Sequence, residues 1–117
     1  VMDYTTTFNA GIVTATSSGA SATVIYTVPA NYSFEVEHLL ISNYATSDQK
    51  VSVQIFNATA NEYRNLSIEN TVTANSNDKL VDSNRIYLNT GDKIVAYKNG
   101  GSITISCSGK LIYNPRR

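Results

Sequence analysis

Residues 27–56 read TVPANYSFEVEHLLISNYATSDQKVSVQIF, and this stretch is the most informative part of the chain. A Pro-Ala-Asn turn precedes a long run of branched and aromatic residues, and a polar turn separates that run from a second one. In the second run Val51, Val53 and Ile55 alternate with polar residues, which is the period of a β-strand. The stretch therefore predicts the end of one strand and two further strands, with no residue placed for covalent chemistry.

The rest of the chain has the same β-type pattern. Asn, Ser and Thr occur 13 times each in 117 residues, whereas the residues that favour helices never cluster. The alternation predicts about eight short strands, at Thr7–Thr16, Ala22–Val28, Ser33–Asn43, Lys50–Asn57, Glu62–Glu69, Lys79–Leu88, Asp92–Lys98 and Ser102–Tyr113. The sixth of these strands is interrupted near residues 82–84.

In the second and third predicted strands, the side of the strand on which each apolar residue lies decides whether it joins the core. The third strand has them at both odd and even positions, which indicates a central strand or a bulge near His38. Simple alternation predicts three groups that each share a face: Val24, Tyr26 and Val28; Phe34, Val36 and Leu40; Leu39 and Ile41.

The connecting segments have the composition of tight turns. Residues 89–92 (Asn-Thr-Gly-Asp) and 99–101 (Asn-Gly-Gly) supply the positive φ angles that hairpins need. Neither Pro29 nor Pro115 interrupts a predicted strand. We therefore predict an all-β fold, a single antiparallel β-sandwich or barrel over residues 1–117, with 1–8 and 114–117 as extended termini. Periodicity leaves the strand connectivity open.

Charge and hydropathy exclude several classes of partner. Nine Lys plus Arg balance nine Asp plus Glu, so no net field attracts a polyanion or an anionic membrane. No apolar run reaches the length of a membrane span, and the N-terminus lacks the regions of a signal peptide. We expect a soluble chain that is not exported and that binds neither nucleic acid nor membrane.

Residues that could do chemistry are few. Cys107, the single cysteine, alternates with apolar residues and is expected to be a small buried hydrophobe. His38, the single histidine, is expected to be a partly buried structural imidazole. Glu35 and Glu37 have a spacing that could resemble a glycosidase pair, but charges facing solvent on a half-exposed strand are the better interpretation. We predict no catalytic residue, no cofactor and no enzyme.

The segment 75–84 gathers oxygen ligands of the kind that Ca²⁺ accepts. Its spacing matches no calcium loop, and Lys79 lies within it. A polar loop with side-chain to backbone hydrogen bonds is the preferred interpretation, so no metal site is predicted.

Eight tyrosines and no tryptophan bear on binding. Tyr32, Tyr44 and Tyr63 lie in or beside predicted turns, where they could anchor a protein or sugar surface. A carbohydrate-binding module is therefore the alternative class, although the lack of Trp weakens it. Other tyrosines lie within strands and are expected in the core or on a sheet face: Tyr26, Tyr87, Tyr97 and Tyr113.

Five segments between residues 20 and 113 follow one another in a characteristic order: Thr27–Asn31, Ile41–Asn43, Val51–Phe56, Ile86–Ile94 and Ser102–Ser108. This order resembles that of small virion structural proteins of tailed bacteriophages. Such proteins commonly show a Val-Pro-Ala-Asn/Gly turn, a following strand that ends in Asn, a Thr/Ser-rich turn and a Leu-x-x-Gly-Asp turn before the last hairpin. The resemblance implies a jelly-roll sandwich without catalytic residues.

That resemblance also implies a function. It suggests a capsid decoration (cement) protein, usually a trimer, or a component of the neck, tail or baseplate. We accordingly expect a homotrimer that is made in the host cytoplasm and becomes part of the virion, where it binds the major capsid protein or other virion proteins. Strand faces are expected at the trimer axis, and the termini, including Arg116 and Arg117, at the capsid surface.

Overall fold

The structure, a computed structural model, describes residues 4–81 and 86–113. Within these ranges it contains nine strands, a three-residue 3₁₀ turn at Gly19–Ser21, and no α-helix. The strands are β1 (Tyr4–Val13), β2 (Thr23–Thr27), β3 (Tyr32–Asn43), β4 (Gln49–Asn57), β5 (Glu62–Val72), β6 (Ser76–Val81), β7 (Ile86–Leu88), β8 (Lys93–Lys98) and β9 (Ile103–Tyr113).

The strands form two antiparallel sheets. Sheet A has the order β1-β9-β3-β6, with β7 also paired to β3, and sheet B has the order β2-β8-β4-β5. Because β6 pairs with residues 39–43 of β3 and β7 pairs with residues 34–36, the two share one strand position. β6 and β7 therefore count as one, which leaves eight strand positions. In chain order these positions belong to sheets A, B, A, B, B, A, B and A, and this is the arrangement of a jelly roll. The predicted β-sandwich with about eight strands is confirmed.

The N-terminal strand differs most from its predicted position. It starts at Tyr4 and ends at Val13, and its ten residues pair with β9 without a register shift. Residues 4–8 of the predicted extended N-terminus are therefore an edge strand of sheet A. Residues 1–3 and 114–117 lie outside the described part of the chain.

A β-bulge in β3 sets the composition of the core. Val36 pairs with Gly109 and His38 with Ser108, so Glu37 is an extra residue on β3. The bulge shifts the inward positions from even to odd numbers, which explains the apolar residues at both parities and confirms the predicted irregularity near His38. The residues buried between the sheets are Val13, Val28, Phe34, Val36, Leu39, Ile41, Val51, Val53, Val72, Leu88, Ile94, Ala96, Ile103, Ile105 and Cys107.

Two of the predicted face groupings are wrong for the same kind of reason. Leu40 does not share a face with Phe34, because the bulge lies between them. In β2, a register shift between Val24 and Tyr26 leaves Val24 49% exposed, while Ile25 and Tyr26 both pack against the core. Single-residue irregularities therefore decide which side chains are buried.

Candidate functional site

The turn at residues 89–92 ties three loops together at one end of the sandwich. The buried Asp92 carboxylate accepts hydrogen bonds from the backbone N–H of Asn89 and of Ala58, each at 2.9 Å. Its backbone carbonyl accepts from Val28 N–H at 2.9 Å, and Gly91 N–H donates to the Val28 carbonyl at 3.0 Å. Gly91 has a φ of +86°, and a Cβ there would lie 3.1 Å from the Ala58 Cβ. The Gly-Asp sequence is thus a structural clamp.

Replacement of Asp92 by Asn is expected to lower the free energy of unfolding by about 1–3 kcal/mol, the cost of an unsatisfied buried polar group. Both carboxylate oxygens accept from backbone N–H groups, so an amide must direct its NH₂ at one of those donors. Urea unfolding measures the effect.

Asp48→Asn is the matched control. Asp48 is exposed and accepts through one oxygen, from Ala74 N–H at 3.0 Å, which an amide oxygen can replace. Equal unfolding midpoints for the two variants would contradict the role assigned to Asp92.

A second clamp, centred on Asn43, lies at the opposite end of β3 from Tyr32. The buried Asn43 amide donates to the carbonyls of Val72 at 2.9 Å and Ser47 at 3.1 Å, with Thr73 at 3.4 Å. Its oxygen accepts from Ala45 N–H at 2.9 Å. One side chain therefore joins the β3–β4 loop to the end of β5.

The three tyrosines predicted at an interface do not all lie on one surface. Tyr32 is half-buried, with its ring centroid 5.3 Å from that of Tyr113, and Tyr63 is half-buried, 4.7 Å from Phe56. Tyr44 is 67% exposed but lies at the other end of β3 from Tyr32. Arg116 and Arg117 lie outside the described residues.

The two acidic residues of β3 do not form a pair that faces solvent. Glu35 is buried, with Lys110 and Tyr87 as its neighbours in register, and Glu37 is half-buried at the bulge. Simple alternation puts both side chains on one face, but the bulge gives them different environments. The expectation that both charges face solvent is therefore wrong. His38 is exposed, and the expectation of a partly buried imidazole is also wrong.

Cys107 is a buried thiol in the core. Desolvation by burial raises its pKa to about 11, so the thiol is neutral at physiological pH. Burial, followed by the electrostatic effect of Cys107, also raises the pKa of Tyr26. These properties agree with the predicted role of Cys107 as a small hydrophobe.

Residues 4–81 and 86–113 contain no group of three or more His, Cys, Asp or Glu side chains that could hold a metal ion. Most of the oxygen-rich segment, residues 76–81, is strand β6. Asp78 in this strand accepts a hydrogen bond from the Asn70 amide at 3.0 Å. Residues 82–84, the rest of that segment, are outside the described ranges.

The outer face of sheet A is an open surface with small side chains at its centre. Thr104, Ser106 and Ser108 follow the outward positions of β9, between Ala10 and Ile12 on β1 and His38 and Leu40 on β3. Ile12 is 69% exposed and Tyr87, on β7, is 70% exposed. A shallow groove of about 240 Å³ crosses this face, and its lining includes His38, Leu40, Lys79, Ser106 and Ser108.

The outer face of sheet B is partly covered by the β1–β2 loop. Gly19 N–H, in this loop, donates to the Gln54 side-chain oxygen at 3.0 Å, and the Gln54 amide donates to Asn65 at 3.0 Å. Val95 is the register partner of Gln54, and it is only 1% exposed. The loop therefore buries residues that an uncovered sheet would present to solvent.

Beside the loop, sheet B has a polar groove of about 460 Å³. The sequence does not indicate this groove, because its pattern predicts Tyr97 in the core or on a sheet face and Glu69 at the end of a strand. Only the pairing of β4 with both β5 and β8 brings these residues together. The lining residues are Thr16, Lys50, Ser52, Glu69, Tyr97, Lys98 and Asn99.

Across residues 4–81 and 86–113, no helix is long and apolar enough to cross a membrane. Comparisons with protein families, with curated proteins and with solved structures found no match to this chain.

Proposed function

We propose that this protein is a non-enzymatic virion structural protein, a decoration protein that binds and stabilises the capsid of a tailed bacteriophage as a homotrimer. The observation that carries the proposal is the jelly-roll strand order, together with the positions of the motifs that resemble phage virion proteins. Asn43 and the Gly91-Asp92 turn hold loops in place at the two ends of the sandwich.

A rigid frame suits a protein that binds by shape. Loops from distant parts of the sequence are joined by hydrogen bonds to buried side chains, so little conformational entropy remains to be lost on binding. Many copies on a symmetric shell would convert weak single contacts into strong overall attachment.

The outer face of sheet A is the surface that we assign to the trimer contact. Its small central side chains allow close approach, and exposed Ile12 and Tyr87 supply apolar area. Sheet B is less suitable because the β1–β2 loop covers part of it.

Replacement of Ser106 by Arg is expected to convert the trimer to a monomer. Ser106 lies at the centre of this face, next to Ala10 and Leu40 in register, and points away from the core. Light scattering measures the mass, and co-sedimentation with capsids that lack the protein measures attachment. Because a monomer attaches through one contact and a trimer through three, the affinity of the variant for capsids should be at least about 100-fold lower.

Ile68→Arg is the control, because Ile68 is exposed on β5 of sheet B. The variant should remain a trimer and bind capsids. A wild-type chain that is monomeric and does not bind capsids would refute the proposed function, and binding to neck or tail alone would reassign its position. A trimer that survives Ser106→Arg would refute the assigned face.

A further inference from the structure

Glu69 has an unusual backbone conformation for its residue type. Four non-glycine residues of the described chain have positive φ angles. Three are asparagines in turns, Asn31, Asn61 and Asn75, and asparagine tolerates this region. Glu69, with a φ of 49°, lies inside strand β5. Strained backbone of this kind concentrates at functional sites.

The cause of this conformation is an irregular pairing of β4 with β5. Val51 pairs with Asn70 and Val53 with Ser67, so Ile68 and Glu69 together oppose a single residue. That residue, Ser52, is buried and accepts a hydrogen bond from Glu69 N–H at 2.8 Å. The irregularity places Glu69 at the polar groove of sheet B, where its carboxylate is 3.8 Å from Lys50 Nζ.

The groove combines three kinds of group that together select a ligand. Glu69 can accept hydrogen bonds from hydroxyl groups, Lys50 can donate to hydroxyl oxygens, and the Tyr97 ring offers an aromatic surface. The carboxylate of Glu69 balances the ammonium group of Lys50, and the other ammonium group of the lining, that of Lys98, donates to the Gly101 carbonyl. The Glu69–Lys50 pair therefore favours a neutral polyhydroxylated ligand over a phosphate or carboxylate. The volume of about 460 Å³ is within the range of small-molecule sites, about 300–1,000 Å³.

We propose that this groove binds a neutral pyranose unit of a glycan, with Tyr97 packed against the sugar ring and Glu69 and Lys50 hydrogen-bonded to its hydroxyl groups. The strained Glu69 backbone is then the means by which the β4–β5 irregularity presents a carboxylate to the ligand. This site goes beyond the proposed function, because it gives a capsid-bound protein a contact to glycans. It also moves the sugar site from the turn tyrosines to Tyr97.

The test is a titration of the ¹⁵N-labelled full chain with glucose, galactose, mannose, N-acetylglucosamine and their short oligomers, followed by NMR. We expect saturable shifts of the amides of Lys50, Ser52, Glu69 and Tyr97 with at least one sugar. Saturation by a monosaccharide assigns recognition to a single ring, and saturation only by an oligomer assigns it to a glycan chain. If no sugar of the panel shifts these amides, the proposal is wrong.

Two variants and one control locate the site. Tyr97→Ala and Glu69→Gly should each weaken binding at least 10-fold. Glycine adopts a positive φ without strain, so Glu69→Gly removes the carboxylate while it preserves the irregular pairing. Tyr87→Ala, on the outer face of sheet A, should bind like the wild type. A loss of sugar affinity as large in Tyr87→Ala as in Tyr97→Ala would show that the groove is not the sugar site. Because the isolated chain is used, the result is independent of capsid binding.

Discussion

Replacement of Gly109 by Ala is expected to lower the free energy of unfolding by about 3 kcal/mol, the upper end of the cost of an overpacked core. Gly109 lies on β9 opposite Val36, next to the β3 bulge. A Cβ at this position would be placed onto the carbonyl oxygen of Glu35 and 3.1 Å from the backbone nitrogen of Glu37. These are backbone atoms of a central strand, which cannot move aside as a flexible side chain can.

The effect is one of space and not of backbone conformation, because Gly109 does not have a positive φ. Gly100→Ala is the matched control: its φ is likewise not positive, and its Cβ would meet the Gln49 side-chain oxygen at an ordinary 3.4 Å. Urea unfolding should show a clear loss for Gly109→Ala and a change within about 0.5 kcal/mol for Gly100→Ala. Similar midpoints for both variants would mean that β9 can move away from the bulge at little cost.

The β3 bulge also shows how much of the fold the sequence predicts. Strand positions follow from local alternation, and β4 and β8 are predicted to within one residue at each end. The apolar residues at both parities of β3 indicate an irregularity near His38. They do not identify the face of Leu40, because that depends on the residue at which the register with β9 shifts. In β2, the shift after Val24 has no sequence signal, since the apolar run continues through it.

The candidate binding surfaces are less predictable than the strands, because they depend on contacts between distant segments. The positive φ of Gly91 follows from the local turn sequence, but Ala58 N–H as a partner of Asp92 does not, since 34 residues separate them. Likewise, Tyr97 and Glu69 meet at one groove only because β4 lies between β5 and β8. The sequence indicates a binding surface only through the tyrosines beside its predicted turns. In the fold, Tyr44 lies far from Tyr32, and Tyr32 packs against Tyr113.

Replacement of Asn43 by Leu is expected to cost about 3 kcal/mol of unfolding free energy. Leucine has a similar size and is apolar, so the buried volume remains while the carbonyls of Val72 and Ser47 and the N–H of Ala45 lose their partner. Asn77→Leu is the control, because Asn77 is exposed on β6 beside Ser42 and should change the unfolding midpoint little. Equal losses of unfolding free energy in the two variants would contradict the role assigned to Asn43.

Replacement of Asn43 by Asp separates hydrogen bonding from packing at the same position. An aspartate oxygen can still accept from Ala45 N–H, but a carboxylate cannot donate to the Val72 carbonyl. Burial and that carbonyl both favour the protonated acid, so they raise its folded-state pKa above the unfolded value. The stability deficit relative to the wild type should therefore be largest above the folded-state pKa and shrink as pH falls towards the unfolded value. A deficit that does not change with pH in urea unfolding would show that packing, and not donation to Val72, explains the role of Asn43.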